Sequence, residues 1–302
     1  MKKLLLGSTL AAAIAAPCAV LAQAAAPSAP PPEHTLTGNL TIATDYRFRG
    51  ISQTFGEGFF TPGWAIQGGI DYSHSSGFYL GNWNSNVSGN QYPNGSSIEM
   101  DFYGGYKHSW GDFGIDIGTI YYYYPGGTKF IVDLSTLPYN PALAGTSKTT
   151  IDNWEVYIGG SWKWFAAKYF YSFTNYFGMS QNVVTSLCNP KNCVNQFRPA
   201  GDVLNPNGNT KGTQYLTGSF NYEIMPKLTL GASLGYTWVN NYSRLDYLDY
   251  KVGLTYDLNG WLLGANLVGT NADDKYWYAS NNDGKVRDIG NFGLVLSVGK
   301  TF

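Results

Sequence analysis

Phe292-Gly293-Leu294-Val295-Leu296-Ser297-Val298-Gly299-Lys300-Thr301-Phe302 closes the chain. Every second residue counted back from the end gives Phe302, Lys300, Val298, Leu296, Leu294 and Phe292. Between them lie Thr301, Gly299, Ser297, Val295 and Gly293. One face is apolar and capped by an aromatic; the other is small and mostly polar. Period-two alternation of this kind belongs to a β-strand with different surroundings on its two faces. When one face meets lipid, the backbone groups on both strand edges need partners, and only a closed sheet supplies them. The rest of the chain is therefore expected to be antiparallel strands of the same kind, joined edge to edge.

The stretch also resembles the last strand of outer-membrane barrels, which ends in Phe or Trp. The resemblance implies that Phe302 is an assembly signal for the barrel-assembly machinery. The other end of the chain fits export. Met1-Lys2-Lys3 precedes an apolar run from Leu4 to Ala16, and Ala22-Gln23-Ala24 is an A-x-A site. Residues 1–24 are thus expected to be a secretory signal peptide for the Sec pathway. A lipoprotein signal acylated at Cys18 is the rival, and Pro17 before that cysteine argues against it. The apolar core is too short for a membrane-spanning anchor. Residues 25–37, with Pro27, Pro30, Pro31 and Pro32, are expected to form a flexible periplasmic lead-in, and residues 38–302 the barrel.

Aromatic residues make up 16% of the chain, with 24 Tyr and 9 Trp, and charged residues only 13%. About a quarter charged is usual. This bias without long apolar runs suits strands whose lipid-facing residues are interleaved with polar ones. Without Lys2 and Lys3, 17 basic residues stand against 20 acidic ones, a net charge of −3, which excludes a nucleic-acid partner. Cys188 and Cys193 lie beyond the signal and are a disulfide candidate in an exported protein.

Alternation places a first strand over residues 40–49, with Leu40, Ile42, Tyr46 and Phe48 on the lipid face and Asp45, Arg47 and Arg49 inside. Further strands fall at 64–72, 78–87, 98–107, 113–123, 154–163, 167–174, 216–223, 228–238, 249–257, 261–267 and 292–302. In the third, Phe78 and Leu80 compete with Tyr79 and Trp83 for the outer face. About twelve strands is an even number, as bacterial barrels require. Tight turns follow strands two, four, six, eight and ten. Longer connections follow one, three, five, seven and eleven, and only that near 240–244 is short for its class. A β-sandwich has no reason to alternate loop length in this way. The fold class is all-β: a transmembrane antiparallel barrel with short periplasmic turns and long extracellular loops.

Thr44-Asp45-Tyr46-Arg47-Phe48-Arg49-Gly50-Ile51-Ser52-Gln53-Thr54 resembles the TorF-type porins of proteobacteria. So do Gly77-Phe78-Tyr79-Leu80-Gly81-Asn82-Trp83-Asn84-Ser85-Asn86-Val87, Glu99-Met100-Asp101-Phe102-Tyr103-Gly104-Gly105-Tyr106 and Tyr122-Tyr123-Tyr124-Pro125-Gly126. The resemblance covers the mature chain and is sharpest in its first half. It implies a porin-like barrel in the cell outer membrane of a Gram-negative bacterium, and it supplies no catalytic residues.

The inner faces carry the pore-lining candidates Asp45, Arg47, Arg49, Glu99, Asp101, Lys107, Asp116, Glu155, Lys163, Lys168, Asp249 and Lys251, together with Asp71, Glu223 and Asp257. Charge rings inside a narrow pore set selectivity. Two readings of Asp45, Arg47, Arg49, Glu99 and Asp101 stand side by side: a charged constriction, or buried ion networks that fix the barrel's shape. Trp64, Trp110, Trp154, Trp162, Trp238 and Trp261 fall at strand ends, as an interfacial girdle requires. Tyr122 and Tyr124 point inward, to touch solute or to fill space.

An enzyme is not expected. His34, His74 and His108 are the only histidines, placed in the lead-in and at turn ends, without a Ser-plus-carboxylate setting or a zinc spacing, so no metal or cofactor is assigned. The function expected is passive diffusion of small hydrophilic solutes or ions through a barrel embedded in outer-membrane lipid. The alternatives are a plugged structural or adhesion barrel acting through loops 125–152 and 178–211, and an outer-membrane hydrolase. Solute, gating and oligomeric state are not written in the sequence.

Overall fold

The computed structural model describes residues 32–56, 61–89, 96–131, 147–179, 208–274, 277–280 and 286–302. The signal segment and the Cys188/Cys193 pair lie outside them. Twelve strands form one closed antiparallel barrel. They are β1 (His34–Ala43), β2 (Ala65–His74), β3 (Phe78–Asn86), β4 (Ile98–Trp110), β5 (Phe113–Tyr123) and β6 (Asn153–Trp162). The second half is β7 (Phe165–Ser172), β8 (Gln214–Met225), β9 (Leu228–Trp238), β10 (Tyr247–Leu258), β11 (Trp261–Thr270) and β12 (Gly293–Thr301). Each pairs with its neighbours in sequence, and β1 with β12 closes the ring through Asn39–Ala43 against Thr301–Ser297. Two further bonds join Gly38 to Phe302: Phe302 N–H to Gly38 O at 2.8 Å, and Gly38 N–H to Phe302 O at 3.1 Å.

The faces divide as alternation requires. Leu40, Ile42, Ile66, Ile70, Leu80, Phe102, Ile117, Ile158, Leu216, Leu234, Val252, Leu254, Leu296 and Val298 are exposed on the outside. Aromatics bracket this apolar band: Trp110, Phe113, Trp162, Trp164, Phe165, Trp261 and Phe302 at the tight-turn end, and Trp64, Trp154, Phe173, Trp238 and Phe292 at the long-loop end. In β3, Phe78 and Leu80 win the outer face, and Tyr79 and Trp83 turn inward. The outward Asn82, Asn84 and Asn86 donate to the Asp101, Gly68 and Trp64 carbonyls, so their amides serve the wall itself.

The first strand is the main correction. It begins at His34, inside the expected lead-in, and ends at Ala43. Residues 44–56 leave the wall and turn into the barrel. There Arg47–Phe48 pairs with Ile51–Ser52 as a miniature hairpin. Tyr46 and Phe48, expected to meet lipid, are 1% and 4% exposed within the interior. Arg49 and Gly50 both take positive φ, 45° and 80°, the geometry of a two-residue type I′ turn. Gly50 also sits against the wall, where an added Cβ would meet Thr270 Cγ2 and Asp249 Cβ.

Candidate functional site

The hairpin is stabilised from within by Asp45. Its carboxylate accepts from Arg47 Nε at 2.5 Å, Ser52 Oγ at 2.7 Å and Thr54 Oγ1 at 2.8 Å. Arg47 also donates to backbone: Nη1 reaches the carbonyls of Gly50, Ile289 and Asn291 at 3.2, 3.1 and 2.8 Å. Thus one arginine ties the hairpin to itself and to the connection before β12.

Arg49 points the other way, to the barrel wall. Its Nη2 donates to Glu155 Oε2 at 2.6 Å, and Asn153 Nδ2 satisfies Glu155 Oε1 at 3.1 Å. The guanidinium lies over the rings of Tyr215, Phe48, Phe170 and Tyr176 at 4.1, 4.9, 5.4 and 5.7 Å. An arginine so caged keeps its planar charge paired and stacked, which suits guanidinium and not ammonium. Burial acts to lower the Arg49 pKa, but the Glu155 carboxylate together with the Tyr176, Tyr122 and Tyr215 hydroxyls outweighs it, and the net shift is upward. Burial raises the Tyr176 hydroxyl, with Arg49 opposing it. That hydroxyl accepts from Arg49 Nη1 at 3.3 Å.

Around the hairpin the inner wall forms one core. Ala43, Ala65, Val87, Tyr103, Ile120, Tyr122, Tyr124, Tyr157, Phe170, Tyr215, Val268 and Val295 pack with Tyr46 and Phe48. Phe48 meets Tyr122 and Phe177 edge-on, each at 5.3 Å between centroids. Tyr122 and Tyr124 are therefore space-filling, at 0% and 3% exposure. A second inward turn, Tyr176–Gly178, completes the filling, with Phe177 and Gly178 at φ 47° and 69°.

Glu99 and Asp101 lie beside this plug on β4, at 0% and 1% exposure. Tyr46 OH donates to Glu99 Oε1 at 2.9 Å, and Glu99 and Asp101 stand side by side on the inner face of β4. Neither acid forms an ion pair among the described residues. Toward the tight-turn end lies a second polar layer. Lys168 Nζ pairs with Asp116 Oδ2 at 2.7 Å, Tyr79 OH donates to Asp116 Oδ1 at 2.6 Å, and Tyr103 OH to Asp71 Oδ1 at 2.5 Å. Beyond it Lys107, Asn221, Glu223, Thr229, Ser233, Lys251, Thr255, Asp257 and Asn266 are only half-buried, so this half of the lumen admits water.

Most of the residues expected inside do point inside. Glu99, Asp101, Lys107, Asp116, Glu155, Lys168, Asp249 and Lys251 stand on inward positions of their strands. Asp45, Arg47 and Arg49 are in the lumen too, but on the hairpin and not on a strand. Lys163 is the exception: it forms the exposed turn after β6 at φ 54°, with Nζ 5.0 Å over the Trp162 ring. The cage rings Phe170, Tyr176 and Tyr215 went unassigned from sequence, since an inward aromatic in a barrel looks the same whether it holds an arginine or fills space.

Comparison with known proteins adds the following. The solved NanC porin is similar over 89% of this chain and 99% of its own, with 11% identity and a TM-score of 0.48. The solved KdgM porin is similar over 88% and 98%, with 10% identity and a TM-score of 0.45. A second KdgM structure, in complex with disordered oligogalacturonate, gives 10% identity, coverage of 89% and 98%, and a TM-score of 0.44. No curated protein matches the sequence. Residues 24–302 match the family described as "Bacterial protein of unknown function (Gcw_chp)", and the chain belongs to that family.

Proposed function

We propose that the protein is an outer-membrane, porin-like channel for passive diffusion of small hydrophilic solutes, which rests with its long-loop half shut by the 44–56 hairpin. One observation carries this reading. A charged, water-accessible half-lumen ends at a plug that meets the wall through an aromatic core and through buried polar contacts, Arg49–Glu155 and Tyr46–Glu99 among them. In this reading the plug moves aside when lumen water takes over those polar contacts. In the same reading the tight turns face the periplasm and residues 1–24 are the export signal. Phe302 is the mark used by the barrel-assembly machinery, and the protein is functional kin of the TorF-type porins.

The test is single-channel conductance of the mature protein in planar bilayers, beside a variant whose residues 46–54 are replaced by a Gly-Ser linker. The parent should give small, intermittent steps and the variant large, steady ones. If both stay silent while migrating as folded, heat-modifiable barrels, the channel reading fails. The second reading then holds: a plugged barrel that acts through its outer loops, favoured by the complete burial of Arg47 and Arg49.

A further inference from the structure

Two of the three histidines face each other. His34 and His74 are direct partners in the β1–β2 ladder, on its outer side at the tight-turn rim. Their ring centroids are 5.1 Å apart. Glu33, the preceding residue, brings Oε1 to 3.5 Å from His74 Nε2. One ligand atom from each of the three residues lies within 4.8 Å of the other two.

The imidazoles are also oriented. His34 Nδ1 is 2.9 Å from Tyr72 OH, and His74 Nδ1 is 2.6 Å from Ser76 Oγ. With each Nδ1 engaged, Nε2 is the nitrogen each ring has left for a ligand, the arrangement by which outer hydrogen bonds hold histidine ligands to a metal. Ser76 N–H donates to His74 Nδ1 at 3.1 Å, so metal at Nε2 requires that bond to give way to one in which a protonated Nδ1 donates to Ser76 Oγ.

We propose that Glu33, His34 and His74 bind a divalent transition-metal ion of the zinc class. Two neutral imidazoles and one carboxylate favour Zn²⁺, Ni²⁺ or Cu²⁺ over the oxygen-seeking Ca²⁺ and Mg²⁺. Ligands at about 2.0–2.1 Å from a tetrahedral zinc stand roughly 3.3 Å apart. Glu33 and His74 nearly meet that spacing, and a small approach of the His34 ring with its Tyr72 bond kept supplies the rest. The Glu33 side chain is 71% exposed, so a fourth position stays open to water. The site would clamp an end of β1 that the seam leaves alone, because its bonds to the last strand start only at Gly38.

The experiment is calorimetric titration of tag-free, detergent-solubilised protein with Zn²⁺, checked by the visible spectrum of the Co²⁺ form. One ion per chain should bind, and His34→Ala and His74→Ala should each weaken it at least tenfold. Tyr72→Phe should weaken it by roughly 10-fold through loss of ring orientation. His108→Ala, which removes a ring that stacks on Tyr106 and meets Trp110 edge-on, should bind like the parent. Heat-modifiable migration verifies that each variant is folded. Equal binding by parent, His34→Ala and His74→Ala, or no binding below millimolar Zn²⁺, overturns the proposal.

Discussion

At the scale of single residues, Arg49 and Glu155 decide whether the plug is seated. Both are almost fully removed from solvent, at 2% and 1% side-chain exposure. Removing one member of such a pair strands the other charge, at a cost of about 3–5 kcal/mol. Arg49→Ala should therefore destabilise the folded protein by that order in guanidinium titrations followed by Trp fluorescence. Arg49→Ala with Glu155→Ala should cost less than the two single changes summed. Arg49→Lys should recover little, since a lysine cannot stack as a plane among four rings while donating to Glu155. Asp45 is read differently once its three partners are known. A lysine there would not simply reverse a lumen charge; it would dismantle the hairpin, so a change in conductance at Asp45→Lys would report plug loss and not ion preference.

At the scale of elements, the hairpin and the strands answer to different rules. The hairpin tip needs Gly50, with φ of 80° and no room for a Cβ beside Asp249 and Thr270. Gly50→Val should unseat it and raise bilayer conductance while the barrel stays folded; unchanged conductance would mean that the tip is not what shuts the lumen. The strands instead discriminate by face. Val252→Arg puts a charge on the lipid side of β10 and should cost about 2–4 kcal/mol in folding titrations if it lies near the bilayer midplane. Ser233→Arg, on the half-buried inner face of β9, should cost far less.

The same contrast explains what could be read in advance. Alternation in β4, β5, β9, β10 and β12 located those strands and their faces because lipid and lumen differ so sharply across one wall. It failed after Ala43, because Tyr46 and Phe48 keep the period while packing into a protein interior. Period two records which residues share a face, and nothing in it says whether that face meets acyl chains or other side chains. Arg49-Gly50 was the available clue, a pair suited to a turn in the middle of a supposed strand. Lys163 was misplaced for a simpler reason: the alternation of β6 ran one residue into its turn. The metal-ligand geometry escaped because Glu33 and His34 were assigned to a lead-in, which hid that β1 starts early enough to bring His34 opposite His74.

At the scale of the whole molecule, the barrel is a ring with a packed half and a wet half. Closure depends on a seam of five residue pairs, half the ten pairs that join β1 to β2. Phe302→Ala should slow appearance of the heat-modifiable form in outer membranes if Phe302 is the assembly mark, while refolding in detergent changes little.

The reach of Arg47 carries a further consequence. Its guanidinium spans 242 and 244 positions of sequence to Ile289 and Asn291, the connection that delivers β12. Contacts so distant in the chain form late. The hairpin emerges from the first strand, yet its seat is finished only by the last. A ring that closed one register out would displace those two carbonyls from the waiting arginine, and the error would be felt at once in the middle of the lumen. Joining the ends and docking the plug are thus one event, in which the first part of the chain inspects the last.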